Sequence, residues 1–263
     1  MDRSPADPSR FDRLLAEASE AHFSGWDFSW LADRWIDSPL PWDYEARVRA
    51  LLKSVESLLD LGTGGGEFLA SLAPLPADTW ATENYPPNVP IARARLEPLS
   101  VRLVTQVPDE ALPFPGQHFD LVINRHESYV PAEVYRILKP GGTFVTQQVG
   151  GRDNLRLNEL LQDQIYFEFE DWSLDHELPR LRAAGFDILE ALEAFPEARV
   201  TDIGAVVYYL RAIPWQIEDF DVERYRERLL ALHRQMECEG GLVLQSHRFF
   251  IQARRPEEAG RGQ

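Results

Sequence analysis

The stretch that most constrains this chain is Ser57-Leu58-Leu59-Asp60-Leu61-Gly62-Thr63-Gly64-Gly65-Gly66-Glu67-Phe68-Leu69. A short apolar run ends in an acid, passes through a glycine-dense turn and enters an amphipathic segment. This pattern predicts a buried strand, a tight loop and a helix N-terminus. Gly62, Gly64 and Gly66 remove Cβ atoms where the backbone must take unusual dihedrals and where a ligand must approach the main chain. In open α/β sheets, a strand that delivers such a loop is where nucleotide-like ligands bind.

The spacing narrows the ligand. A dinucleotide fingerprint requires G-x-G-x-x-G, and counting from Gly62 and Gly64 the third glycine falls on Glu67, an acid that repels a pyrophosphate. No Gly-Lys-Ser/Thr follows, so the loop is not a P-loop. What remains is D-x-G-x-G-x-G led by Asp60, which suits a ligand with positive charge and no phosphate, as S-adenosylmethionine is. Thr79-Trp80-Ala81-Thr82-Glu83 reads as the next strand and ends in a second acid. Its distance from the first strand matches that of an acid accepting from ribose hydroxyls.

Two further segments complete the pattern: Leu112-Pro113-Phe114 leading to the strand Phe119-Asp120-Leu121-Val122-Ile123-Asn124, and Leu138-Lys139-Pro140-Gly141-Gly142 leading to Thr143-Phe144-Val145-Thr146. On these residues the chain resembles the class I S-adenosylmethionine-dependent methyltransferases, in the subgroup with "LPF…FD" and "LKPGG" segments, over about residues 55–150. The resemblance implies a Rossmann-like, doubly wound α/β fold, with a seven-stranded, mostly parallel sheet whose last strand is antiparallel. It implies a loop of Asp60, Gly62, Thr63, Gly64 and Gly66 around the methionine part of the cofactor, Glu83 on the ribose diol, and Asn84 and Tyr85 beside the adenine. Asn124 and Arg125 would line the sulfonium end. The family's acid facing the adenine amino group is displaced here: Pro108 stands at its place, and Asp109 or Gln106 is the substitute.

The rest of the chain divides around this core. The expected organisation is an N-terminal helical arm or lid over 1–54, a methyltransferase domain over 55–254 and a disordered tail over 255–263. Within the domain, an insertion over 150–178, after the fifth strand, covers the acceptor. Trp26, Trp30, Trp35 and Trp42 crowd the arm. They support two readings, packing onto the sheet domain or an aromatic lid in which Trp26, Trp30 and Trp42 close over cofactor and acceptor. Helices are expected over Phe11–His22, Tyr44–Lys53, Ile203–Leu210 and Val222–Glu239, and one last strand over Gly241–Ala253.

For chemistry, His126 and Glu127 follow the fourth core strand, where a general base would stand. Against that, His126 can cap or position. Gln147 and Gln148, after the fifth strand, either orient an acceptor or serve the interior. No His/Cys/Asp spacing fits a metal, so none is expected. With 27 basic against 43 acidic residues the net charge is −16, which disfavours nucleic acid and leaves a small-molecule acceptor as the partner, for a monomer or homodimer. An RNA methyltransferase and a non-catalytic cofactor-binding protein of the same fold are the alternatives. A lone Cys238, no apolar run of membrane length and no apolar leader point to a cytoplasmic protein.

Overall fold

The structure, a computed structural model, describes residues 8–23, 27–165 and 169–257. In chain order its strands are β1 (Trp35–Asp37), β2 (Ser57–Leu61), β3 (Asp78–Glu83), β4 (Arg102–Thr105), β5 (Phe119–Arg125), β6 (Leu138–Val149), β7 (Asp187–Ala194), β8 (Glu197–Val200), β9 (Leu242–Gln245) and β10 (Arg248–Arg254). The chain forms two compact units, one of residues 1–40, 152–168 and 195–247, the other of 41–151, 169–194 and 248–263. The expected boundary between residues 54 and 55 thus falls inside the second unit, and residues 150–178 are divided between the two.

The second unit holds a seven-stranded sheet in the order β4-β3-β2-β5-β6-β10-β7. The pairings β3–β4, β2–β3, β2–β5 and β5–β6 are parallel, and β10 runs antiparallel to both β6 and β7. This is the expected sheet, with the antiparallel strand lying between its neighbours. β2 is buried at every position, its leucines and also Ser57 and Asp60, as in a strand covered on both faces. Because β3 and β5 lie on opposite sides of β2, the strand order reverses there, and a crevice opens at the carboxyl ends of β2 and β5.

The first unit is built around the helix Ile203–Ala212, whose buried Val206, Val207 and Leu210 pack with Phe11, Leu15, Leu157 and Leu232. The expected helix at 203–210 forms because Asp202 caps it, accepting from Ala205 N at 3.1 Å. A three-stranded antiparallel sheet, β1-β8-β9, joins it. The single last strand expected over Gly241–Ala253 is therefore two strands in two sheets. The break falls at Ser246 and His247, both buried polar residues. His247 N donates to Asp153 Oδ1 at 2.8 Å, a demand the ladder of a continuous strand would not leave free.

Trp30 stacks on Tyr208 with ring centroids 4.6 Å apart, under the Arg34 guanidinium at 3.9 Å. It is thus a packing residue of the first unit. Trp26 lies outside the described residues. Within the expected disordered tail, Arg255 is held in place, its Nη1 donating to the carbonyls of Tyr135 at 3.0 Å and Leu138 at 2.9 Å; residues 258–263 lie outside the described residues.

Asp202 also accepts from Arg34 Nε at 2.8 Å. Burial alone would raise its carboxyl, but the Arg34 pair and the Ala205 and Thr201 hydrogen bonds hold it below the ordinary value. Its stabilisation is thus present above the usual carboxylate pKa and is lost as pH falls through the depressed folded value. Replacing Asp202 by Ala should cost about 1–3 kcal/mol in denaturant unfolding at neutral pH, and the deficit should shrink towards pH 3.

Candidate active site

The glycine loop follows β2 at the point where the strand order reverses. Gly62, Gly64 and Gly66 all have positive φ, at 72°, 63° and 80°, conformations that a Cβ would strain. Thr82, one residue before the end of β3, pins the loop twice: its Oγ1 accepts from Gly62 N at 3.0 Å and its carbonyl from Thr63 N at 2.8 Å. From Gly66 the helix Glu67–Ser71 starts, with Leu96 packed into the space a Cβ on Gly66 would fill.

Two carboxylates flank the loop, Asp60 and Glu83, both almost wholly buried. Burial pushes the Asp60 carboxyl up to about 6, against the opposing help of the Thr63 hydroxyl and the Arg125 charge, and Glu83 raises it further. Glu83 Oε1 accepts from Tyr85 N at 2.7 Å, which fixes its side chain at the strand end. Such a pair is costly to keep charged unless a cation joins it. The donor set therefore fits a ligand that brings positive charge and hydroxyl donors, and it does not fit a pyrophosphate.

The opposite wall comes from the chain before β2. The extended backbone of Asp43 (φ −112°, ψ 102°) caps the helix Tyr44–Leu52 through Ala46 N at 2.9 Å. It also sends Trp42 and Tyr44 to the same side. Trp42 Nε1 donates to Gln147 Oε1 at 2.8 Å, and Tyr44 donates to the Asn124 carbonyl at 3.1 Å. Burial and the Asp60 charge hold the Tyr44 phenol well above its ordinary value, which puts it beside that carboxylate. The Arg125 guanidinium lies 4.6 Å above the Phe68 ring, which in turn meets Tyr44 at 5.3 Å. Tyr44 and Phe68 were not among the expected site residues. The Trp-Asp-Tyr alternation before a helix was the available signal.

Several expected residues have other work. Asn124 is fully buried: its Oδ1 accepts from Thr146 at 2.9 Å and from Gln148 at 2.6 Å, and its Nδ2 donates to Leu61 O at 3.3 Å. Both Asn124 and Gln148 thus tie the strand ends together. Asn84 holds the Val107 amide and carbonyl, each at 2.8 Å, and so fixes the loop after β4. Asp109, in that loop, accepts from Ser128 Oγ at 2.6 Å and raises the carboxyl of Glu127 by its charge, as Glu83 does. Gln106 lines a groove with Asn84, Arg93 and Glu97.

Gln147 orients His126. An indole N–H only donates, so Gln147 Oε1 is the acceptor and its Nε2 is the donor. That nitrogen lies 3.2 Å from His126 Nε2, which must then accept and carry no proton, leaving the proton on Nδ1. Desolvation of the ring and the nearby Arg248 and Arg125 charges lower the imidazole to about 3, although the residue as a whole is exposed. His126 is therefore neutral at physiological pH. Among the described residues no cluster of His, Cys, Asp and Glu could hold a metal.

A family model described as a methyltransferase domain matches residues 59–146. The ubiquinone/menaquinone biosynthesis C-methyltransferase UbiE of Neisseria meningitidis is 30% identical over 115 residues, 40% of this chain and 47% of that protein. A ubiquinone biosynthesis O-methyltransferase of Cereibacter sphaeroides is 33% identical over 96 residues, 34% of this chain and 39% of that protein. The chain thus spans less than half the length of these curated relatives. Among solved structures, the YcgJ protein of Bacillus subtilis superposes with a TM-score of 0.56 at 17% identity, covering 81% of this chain and 98% of that one. A SAM-dependent methyltransferase from Aquifex aeolicus superposes with a TM-score of 0.50 at 15% identity, covering 95% and 98%. These two show the shared fold. Over residues 59–146 the chain is thus similar to the methyltransferase-domain family, and the fold of the seven-stranded unit agrees with that likeness.

Proposed function

We infer that the chain transfers a methyl group from S-adenosylmethionine to a small-molecule acceptor. The observation that carries this reading is the glycine loop at the sheet's reversal point, held between two buried carboxylates, Asp60 and Glu83, that a cationic, hydroxyl-bearing ligand would satisfy. When bound, the cofactor supplies an electrophilic methyl on a sulfonium, so the protein's task is to hold the acceptor in line and keep water away. Glu83 would take the ribose hydroxyls, and Asp60 the amino-acid end through the loop. The Val107–Asp109 segment, fixed by Asn84 and Ser128, would border the adenine. Trp42, Tyr44 and Phe68 would wall the other side.

His126 is the acceptor-positioning group in this reading. An imidazole held near 3 is a weak base at neutral pH, so it contributes a hydrogen bond of fixed polarity rather than proton removal. The relatives are named for methylation at carbon and at oxygen, so their likeness favours a small-molecule acceptor without choosing its atom. The net charge of −16 weighs against the RNA alternative.

S-adenosylhomocysteine should raise the melting temperature by linkage, and NAD should not. A shift with NAD alone would reject the reading. Replacing Glu83 by Ala removes a charged acceptor worth about 1.5–3 kcal/mol, so calorimetry should show cofactor affinity falling by about tenfold or more with little change in folding. Replacing Trp42 by Phe leaves Gln147 free to turn, and with it His126. Once an acceptor is in hand, turnover should fall by about tenfold while S-adenosylhomocysteine affinity is retained. Equal losses of both would assign Trp42 to the cofactor instead.

A further inference from the structure

Gly62 lacks a side chain for a reason that lies within the chain itself. A Cβ built there would stand 2.5 Å from Glu127 Cβ, 2.3 Å from its Cγ and 2.9 Å from its Oε2. The stem of Glu127 therefore lies directly on the first glycine of the loop, the surface that the cofactor of the proposed function must approach. Glu127 follows β5, the strand beside β2 at the reversal point, and its carbonyl accepts from Gln148 Nε2 at 3.1 Å, which fixes that backbone. Although the residue as a whole is exposed, desolvation of its carboxyl and the charges of Glu83, from the end of β3, and Asp109, from the loop after β4, push it up. A glycine loop with acids on three sides, and Glu127 in contact with it, is a place where added positive charge is stabilised.

We propose that Glu127 selects the charged form of the cofactor: its carboxylate, seated on Gly62, faces the sulfonium and favours S-adenosylmethionine over S-adenosylhomocysteine. The proposal rests on the function inferred above and deepens it. The two ligands share the adenosine and the amino-acid end, and they differ by one methyl group and one positive charge. Groups that hold the shared parts, such as Glu83 at the ribose, lower both dissociation constants alike. Discrimination requires a negative charge beside the sulfur, and Glu127 is placed for it by the missing Cβ of Gly62. The consequence is release of the neutral product once the methyl has left.

The test is titration of the wild type, Glu127→Gln and Glu83→Gln with S-adenosylmethionine and with S-adenosylhomocysteine. Glu127→Gln keeps the shape and removes the charge. It should weaken S-adenosylmethionine by about tenfold and leave S-adenosylhomocysteine unchanged, while Glu83→Gln weakens both together. Glu127→Asp, which keeps the charge, should retain part of the preference and serves if the Gln variant folds poorly. Equal losses of the two ligands in Glu127→Gln, or no loss of either, would overturn the proposal and leave the cofactor assignment standing. A wild type that binds neither ligand would overturn both.

Discussion

The carboxylate of Asp60, buried at the end of β2, is the constraint around which this site is arranged. An ionised carboxylate taken out of water costs several kcal/mol unless it is paired, and burial pushes Asp60 up to about 6. The Thr63 hydroxyl and Arg125 offset part of that cost, while Glu83 adds to it. Such an acid is tolerated only where the surrounding backbone is rigid and a ligand can complete the balance. Rigidity comes from Thr82, whose side chain and carbonyl both hold the glycine loop against β3, and from Leu96, which fills the gap above Gly66.

The same economy governs the other strand ends. Asn124, Thr146 and Gln148 form a closed set of hydrogen bonds across β5 and β6. Each buried amide is thereby satisfied within the sheet, and the positions just beyond, Arg125 to Glu127, are held at the mouth of the crevice. Trp42 then sets the polarity of Gln147, and Gln147 that of His126. A donor-only indole at one end decides the tautomer of an imidazole at the other, so the chemistry offered by His126 depends on a residue far from it in sequence.

The parallel strands and the glycine loop were legible because local pattern and tertiary role coincide there: short apolar runs closed by glycine or acidic turns read as buried strands, and Gly62, Gly64 and Gly66 fall where the backbone takes positive φ. Asp202 is an equally local signal, an acid capping the helix that follows it. What local pattern did not contain was pairing at a distance. β1 pairs with β8 across most of the chain, and the run from Gly241 to Ala253 reads as one strand until His247 is seen bonded to Asp153. The polar site residues divide in the same way. Asp60 and Glu83 follow from strand-end position alone, whereas the interior role of Asn124 and Gln148 depends on which neighbour each amide meets, and Tyr44 joins the site only because Asp43 is extended.

The central claim is that the loop from Gly62 to Gly66, between Asp60 and Glu83, is the seat of S-adenosylmethionine. A diffraction experiment on crystals grown with S-adenosylhomocysteine tests it most directly. The account predicts density for the ribose against the Glu83 carboxylate and for the amino-acid end over Gly62 and Gly64, with Glu127 alongside the sulfur. Density for the ligand at another place on the protein, or a loop left empty at saturating ligand, would contradict it.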